Sequence, residues 1–75
     1  MKQEVLELLQ DILPEIDFTS SAALVDDGIL DSLSIVSIIS ELSMEYNITI
    51  PYEDITSKNF NSIDAIIAMV ERLKK

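Results

Sequence analysis

Asp31-Ser32-Leu33 is the stretch whose residue types and order could do chemistry. Before it, residues 14–30 show no clear periodicity; after it, residues 33–46 carry the best amphipathic pattern in the chain. A short acid at such a boundary caps a helix, its carboxylate accepting a backbone N–H from Leu33 or Ser34. The Ser32 hydroxyl then stands at a helix N-terminus, where unpaired N–H groups and the helix dipole both favour negative charge. The chemistry this suits is a covalently attached, phosphate-linked arm on Ser32, held and presented by the other residues. Conventional catalysis is hard to build here. Ser32 has no His and no nearby Lys to activate it, and the carboxylates fall where the pattern leaves them exposed.

Composition narrows the classes further. The 75 residues suit one domain, residues 1–75, near the lower limit for a core without staples. There is no cysteine, so no disulfide framework, thiolate metal site or thiol nucleophile, and no histidine to serve as base or ligand. Fourteen acids against five basic residues give a formal net charge of -9. That argues against nucleic acid and anionic membranes and for partners with basic docking surfaces. A hydrophobic content of 48% excludes disorder. No apolar run reaches membrane-spanning length and the first residues lack a signal peptide's apolar stretch, so a cytoplasmic monomer without membrane insertion is expected.

The elements that must position Ser32 follow from periodicity. Residues 2–13 read as a first helix, with Val5, Leu9, Ile12 and Ile16 at helical spacing and Leu6 and Leu13 widening the stripe. Glu4, Glu7 and Asp11 share its solvent-facing strip, and Pro14 marks its end. The connection that follows, about seventeen residues, is long for a small bundle. Phe18, Leu24 and Ile29 or Leu30 are its candidate anchors, and residues 19–22 are a candidate helical turn. Asp26-Asp27-Gly28 resembles part of a calcium loop but fails it: the next ligand positions fall on Gly28 and Leu30, and the closing position on Ser37. No metal site is expected. Gly28, the only glycine, suits a turn of positive φ before the second helix.

In that second helix Ile35, Ile38, Ile39, Leu42 and Tyr46 share the core face, with Val36 at its margin. Leu33, Ser37, Ser40 and Met44 form the opposite strip, flanked by Ser34, Glu41 and Glu45. A strip of serines framed by Leu and Met, with acids beside it, reads as a docking surface. Residues 47–52 form an extended link with Ile48 and Ile50 inward and Pro51 barring helical continuation. One or two helical turns follow up to Phe60, with Ile55 and Phe60 as core contacts. Asn61 is the expected N-cap of a last helix over residues 62–73, with Asp64 in a capping-box position and Ile63, Ile66, Ile67, Val70 and Leu73 inward. Arg72, Lys74 and Lys75 sit where the dipole favours cations, and that is their expected role. The expected fold is therefore all-α: a small antiparallel four-helix bundle, three main helices plus one short one, with a long first loop.

The run Leu24-Val25-Asp26-Asp27-Gly28-Ile29-Leu30-Asp31-Ser32-Leu33, followed by an aliphatic helix and Ile48-Thr49-Ile50-Pro51, resembles the acyl carrier protein family across essentially the whole chain. The resemblance implies that Ser32 is the attachment point for 4′-phosphopantetheine, transferred from coenzyme A by a phosphopantetheinyl transferase that recognises Asp31 and Leu33. The arm's thiol would hold an acyl or aminoacyl group as a thioester, so the protein would be a non-catalytic carrier. Leu33, Ser37, Ser40, Glu41, Met44 and Glu45 would meet its partner enzymes. In fatty-acid-type carriers the helix after the serine is acidic at its second, fifth and eleventh to thirteenth following positions. Here those positions hold Ser34, Ser37, Ser43, Met44 and Glu45, and only the last fits. The approach to Ser32, with Asp54-Ile55, Asn59-Phe60 and Ser62-Ile63 downstream, is more similar to the freestanding D-alanyl and related aminoacyl carriers. Those work with an adenylating ligase rather than condensing enzymes. A housekeeping carrier of fatty acid biosynthesis is the alternative within the family. An unmodified acidic module whose Leu33/Met44 strip binds a partner helix is the alternative outside it.

Overall fold

A computed structural model describes residues 2–74 and places four α-helices: α1 (Lys2–Ile12), α2 (Ser32–Tyr46), α3 (Ser57–Phe60) and α4 (Ile63–Lys74). A single 3₁₀ turn, Tyr52–Asp54, precedes α3, and there is no strand among the described residues. The all-helical bundle matches the expectation. Its core gathers Val5 and Leu9 of α1, Ile38 and Leu42 of α2, Phe60 of α3, and Ile63, Ile66, Ile67, Met69 and Val70 of α4. α1 packs on both α2 and α4, and α3 lies against α4. Phe18, Leu24 and Leu30 anchor the long first loop in that core, while Ile48 and Ile50 anchor the extended link. The burial of residues from every segment gives the loop its order, because each anchor removes apolar surface from water.

Several local expectations are corrected. Residues 19–22 do not form the helical turn; a hydrogen-bonded turn from Asp17 to Ser20 lies there instead. Helical geometry comes later, over residues 24–27, where Ala23 O accepts the Asp27 N–H at 2.7 Å. Gly28, at φ +78, ends that turn. Its N–H donates to Val25 O while the Ile29 N–H donates to Leu24 O, the paired bonds of a Schellman motif. Of the two candidate anchors beside it, Leu30 is buried and Ile29 stays partly exposed.

The cap of α4 is Ser62 rather than Asn61: Ser62 Oγ accepts the Ala65 N–H at 3.0 Å. Asp64 does not complete a capping box but forms an ion pair with Lys2 at 3.1 Å. Ile55, expected inside, is 37% exposed: it closes the 3₁₀ turn at φ -86, ψ 77, its N–H donating to Tyr52 O, and stays outside the core. Ile39 is half-buried and packs on the edge of the core. Arg72 does more than offset the dipole, since its Nη2 lies 3.1 Å from Asp54 Oδ1 and clamps the 3₁₀ turn to α4. Lys74 Nζ lies 5.5 Å from the centroid of the Tyr46 ring, and Lys75 falls outside the described residues.

Candidate functional site

Ser32 is the first residue of α2 and is exposed. Asp31, in extended backbone geometry just before it, is the N-cap, and its Oδ1 accepts the Ser34 N–H at 2.9 Å. The Asp31 carbonyl accepts the Ile35 N–H at 3.0 Å and starts the helical ladder. Hydrogen bonds from the Ser34 backbone, then from its hydroxyl, hold the Asp31 carboxyl below its ordinary value, so it is ionised at neutral pH. Asp31 therefore already serves the first turn of α2. As the sequence led one to expect, the cap takes the Ser34 N–H; a group on Ser32 would gain from the dipole but would not share that amide. The geometry projects the Ser32 side chain outward. Among the described residues, no group of three or more acids, histidines or cysteines is placed to hold a metal ion.

The outer face of α2 begins at the same point. Leu33 is 78% exposed and Met44 79% exposed, about 16 Å apart along the axis at 1.5 Å per residue. Ser37, Ser40 and Glu45 between and beside them are exposed, whereas Glu41 and Ser34 are half-buried. Val36, read from the sequence as a margin of the core, is 59% exposed and joins this face. Its spacing from Leu33, three residues on, is the signal that could have assigned it. Sequence reasoning gave Asn61 the wrong partner: its side chain bonds to Val25 and Asp26 of the first loop, 35 or more residues away, which leave no local pattern.

The second helix of this small helical bundle thus opens on an exposed serine directly after its N-cap. The family model described as "Phosphopantetheine attachment site" matches residues 3–70, nearly the whole chain, and the protein belongs to this family of carrier proteins. The chain is 32% identical over 74 residues to the D-alanyl carrier protein of Leuconostoc citreum, covering 97% of this chain and 95% of that one. It is 30% identical to the D-alanyl carrier protein of Streptococcus suis, over 97% and 94% of the two chains. Aminoacyl carrier protein 1 of Bradyrhizobium diazoefficiens is 32% identical, over 93% and 81%. No solved structure gives a significant match.

Proposed function

We propose that Ser32 carries 4′-phosphopantetheine and that the protein is a freestanding aminoacyl carrier, loaded by an adenylating ligase. The observation that carries this is the exposed Ser32 hydroxyl at the first position of a long helix, in a chain matched to carriers named for D-alanyl and aminoacyl groups. The residues present fit the arm. A hydroxyl open to solvent can reach an enzyme, and the helix dipole favours a phosphodiester at this end. The neighbouring Asp31 carboxylate is already engaged by the Ser34 N–H, so that amide is not open to the phosphodiester. When bound, the arm supplies the terminal thiol, absent from a chain without cysteine, that holds the cargo as a thioester.

The Ser32 oxygen gains a bond to phosphorus as the pyrophosphate link of coenzyme A breaks and adenosine bisphosphate leaves. No histidine stands beside Ser32 to take its proton, so the phosphopantetheinyl transferase supplies the base. Asp31 and Leu33 frame the serine for that enzyme. Leu33, Ser37, Ser40, Glu41, Met44 and Glu45 form the face met by successive partners in the cytoplasm, through apolar contact with a basic rim. The sparse acids of this face favour the aminoacyl reading over a fatty acid synthase carrier.

The test is stepwise loading. Coenzyme A and a promiscuous phosphopantetheinyl transferase should convert the protein to a form that an adenylating ligase charges with an amino acid. The unmodified protein and Ser32→Ala should stay uncharged. Charging by condensing or acyl-transfer enzymes with fatty acyl groups alone would overturn the aminoacyl assignment.

A further inference from the structure

The segment leading into Ser32 is tied to the far end of the chain by one side chain. Asn61, at the junction of α3 and α4, accepts the Val25 N–H at 3.0 Å and the Asp26 N–H at 3.1 Å on its Oδ1. Its Nδ2 donates to Asp26 Oδ2 at 3.1 Å, and its carbonyl accepts the Leu24 N–H at 2.7 Å. Asn61 thus satisfies the N–H groups that open the helical turn over residues 24–27, as a cap would, but from 35 or more residues away. The same turn hands the constraint on. Leu24 O accepts both the Ile29 N–H at 2.9 Å and the Leu30 N–H at 3.0 Å, and the next two residues are Asp31 and Ser32. Phe60 and Leu24, both fully buried, pin the two ends of this bridge in the core.

We propose that Asn61 is a positioning residue for modification of Ser32, holding the residue 24–30 turn and so the place from which the hydroxyl is offered. The inference rests on the proposed attachment at Ser32. Its chemistry is specific to an amide, because the site needs an acceptor for two N–H groups and a donor for the Asp26 carboxylate. Aspartate at 61 would keep the acceptor and set two carboxylates face to face. Asparagine at 26 would then restore the pairing with donor and acceptor exchanged.

The carrier is the substrate of the transferase, which separates positioning from mere stability. A variant that only unfolds more often lowers the concentration of competent carrier, so its apparent KM rises while kcat holds. A variant that lets a folded carrier misplace its hydroxyl lowers kcat, because alignment with the reacting phosphorus is lost. Asn61→Ala and Asn61→Asp, assayed at a temperature where circular dichroism shows the wild-type helix content, should lower kcat on the order of tenfold. The double variant Asn61→Asp/Asp26→Asn should return it close to the wild-type value. Amide exchange at Leu30 should speed up in the single variants and slow again in the double one. Unchanged kcat in the single variants, or a lowered kcat that the double variant fails to restore, would overturn the proposal. If the wild type is itself never modified, the attachment reading fails. Exchange at Leu30 then decides the tether alone: unaltered protection in Asn61→Ala overturns it.

Discussion

Replacing Ile38, Ile39 and Val36 one at a time by alanine tests the rotation of α2, on which the presentation of its outer face depends. Successive helical residues are about 100° apart, so these three sample the core, its edge and the solvent side. Ile38 is fully buried, Ile39 half-buried and Val36 59% exposed. A buried Ile→Ala truncation costs about 2–5 kcal/mol in lost transfer energy and residual cavity. Ile39, partly exposed at the edge of the core, should cost less than Ile38 because part of its side chain is not removed from water on folding. Val36→Ala should fall within about 0.5 kcal/mol of wild type. The whole domain is worth only about 4–11 kcal/mol at ordinary per-residue stability, so Ile38→Ala can bring it close to unfolding. Ile38→Val, at about 0.5–1.5 kcal/mol, gives a version that stays folded. Urea denaturation with a common slope reads all of these as midpoint shifts. A loss at Ile39 or Val36 equal to or greater than that at Ile38 would mean that α2 is turned differently and that the face assigned outward is not the one presented.

Three further outcomes follow from charge and backbone geometry. With fourteen acids and five basic residues, the melting temperature should rise with salt or divalent cations through reduced self-repulsion, and a value insensitive to ionic strength would contradict this. The Asp31 and Asp17 carboxyls are held below the ordinary aspartate value by hydrogen bonds from Ser34 and from Thr19 respectively. A depressed folded pKa contributes stability that is present above the unfolded value and lost as pH falls through the folded one. The loss therefore begins below about pH 3.8, and carboxyl-carbon NMR titration should place both midpoints under the ordinary range. Gly28→Ala should destabilise by about 1–2 kcal/mol despite open space around the new methyl, because φ +78 is costly for a side-chain-bearing residue; thermal melts that match wild type would refute this.

Much of this arrangement was legible because its signals are local. Asp31 caps α2 through Ser34, three residues on, and Pro51 stands just before the 3₁₀ turn. Gly28 takes the positive φ its position demanded. The misreadings share a different cause. Periodicity gives the centre of a helix's buried arc but not its width, and in a bundle this small the arc is narrow. Hence Ile39 sits at the edge and Val36 lies outside it. The inward assignment of Ile55 failed because a link with one short turn has no period to read. Asn61 and Ser62 are neighbours that could each cap α4, and tertiary bonds to residues 24–26 decided between them. Arg72 found Asp54 eighteen residues away, a pairing that no spacing rule announces. The exposed Ser32 was the easiest part to place, since cap, small residue and helix start coincide.

Intact-mass analysis after incubation with coenzyme A and a phosphopantetheinyl transferase, followed by fragmentation to locate the change, bears on the whole account most directly. One phosphopantetheine added per chain, on the peptide containing Ser32 and absent from Ser32→Ala, is the expected result. A chain that stays at its starting mass with every competent transferase, or that gains the group at another hydroxyl, would contradict it.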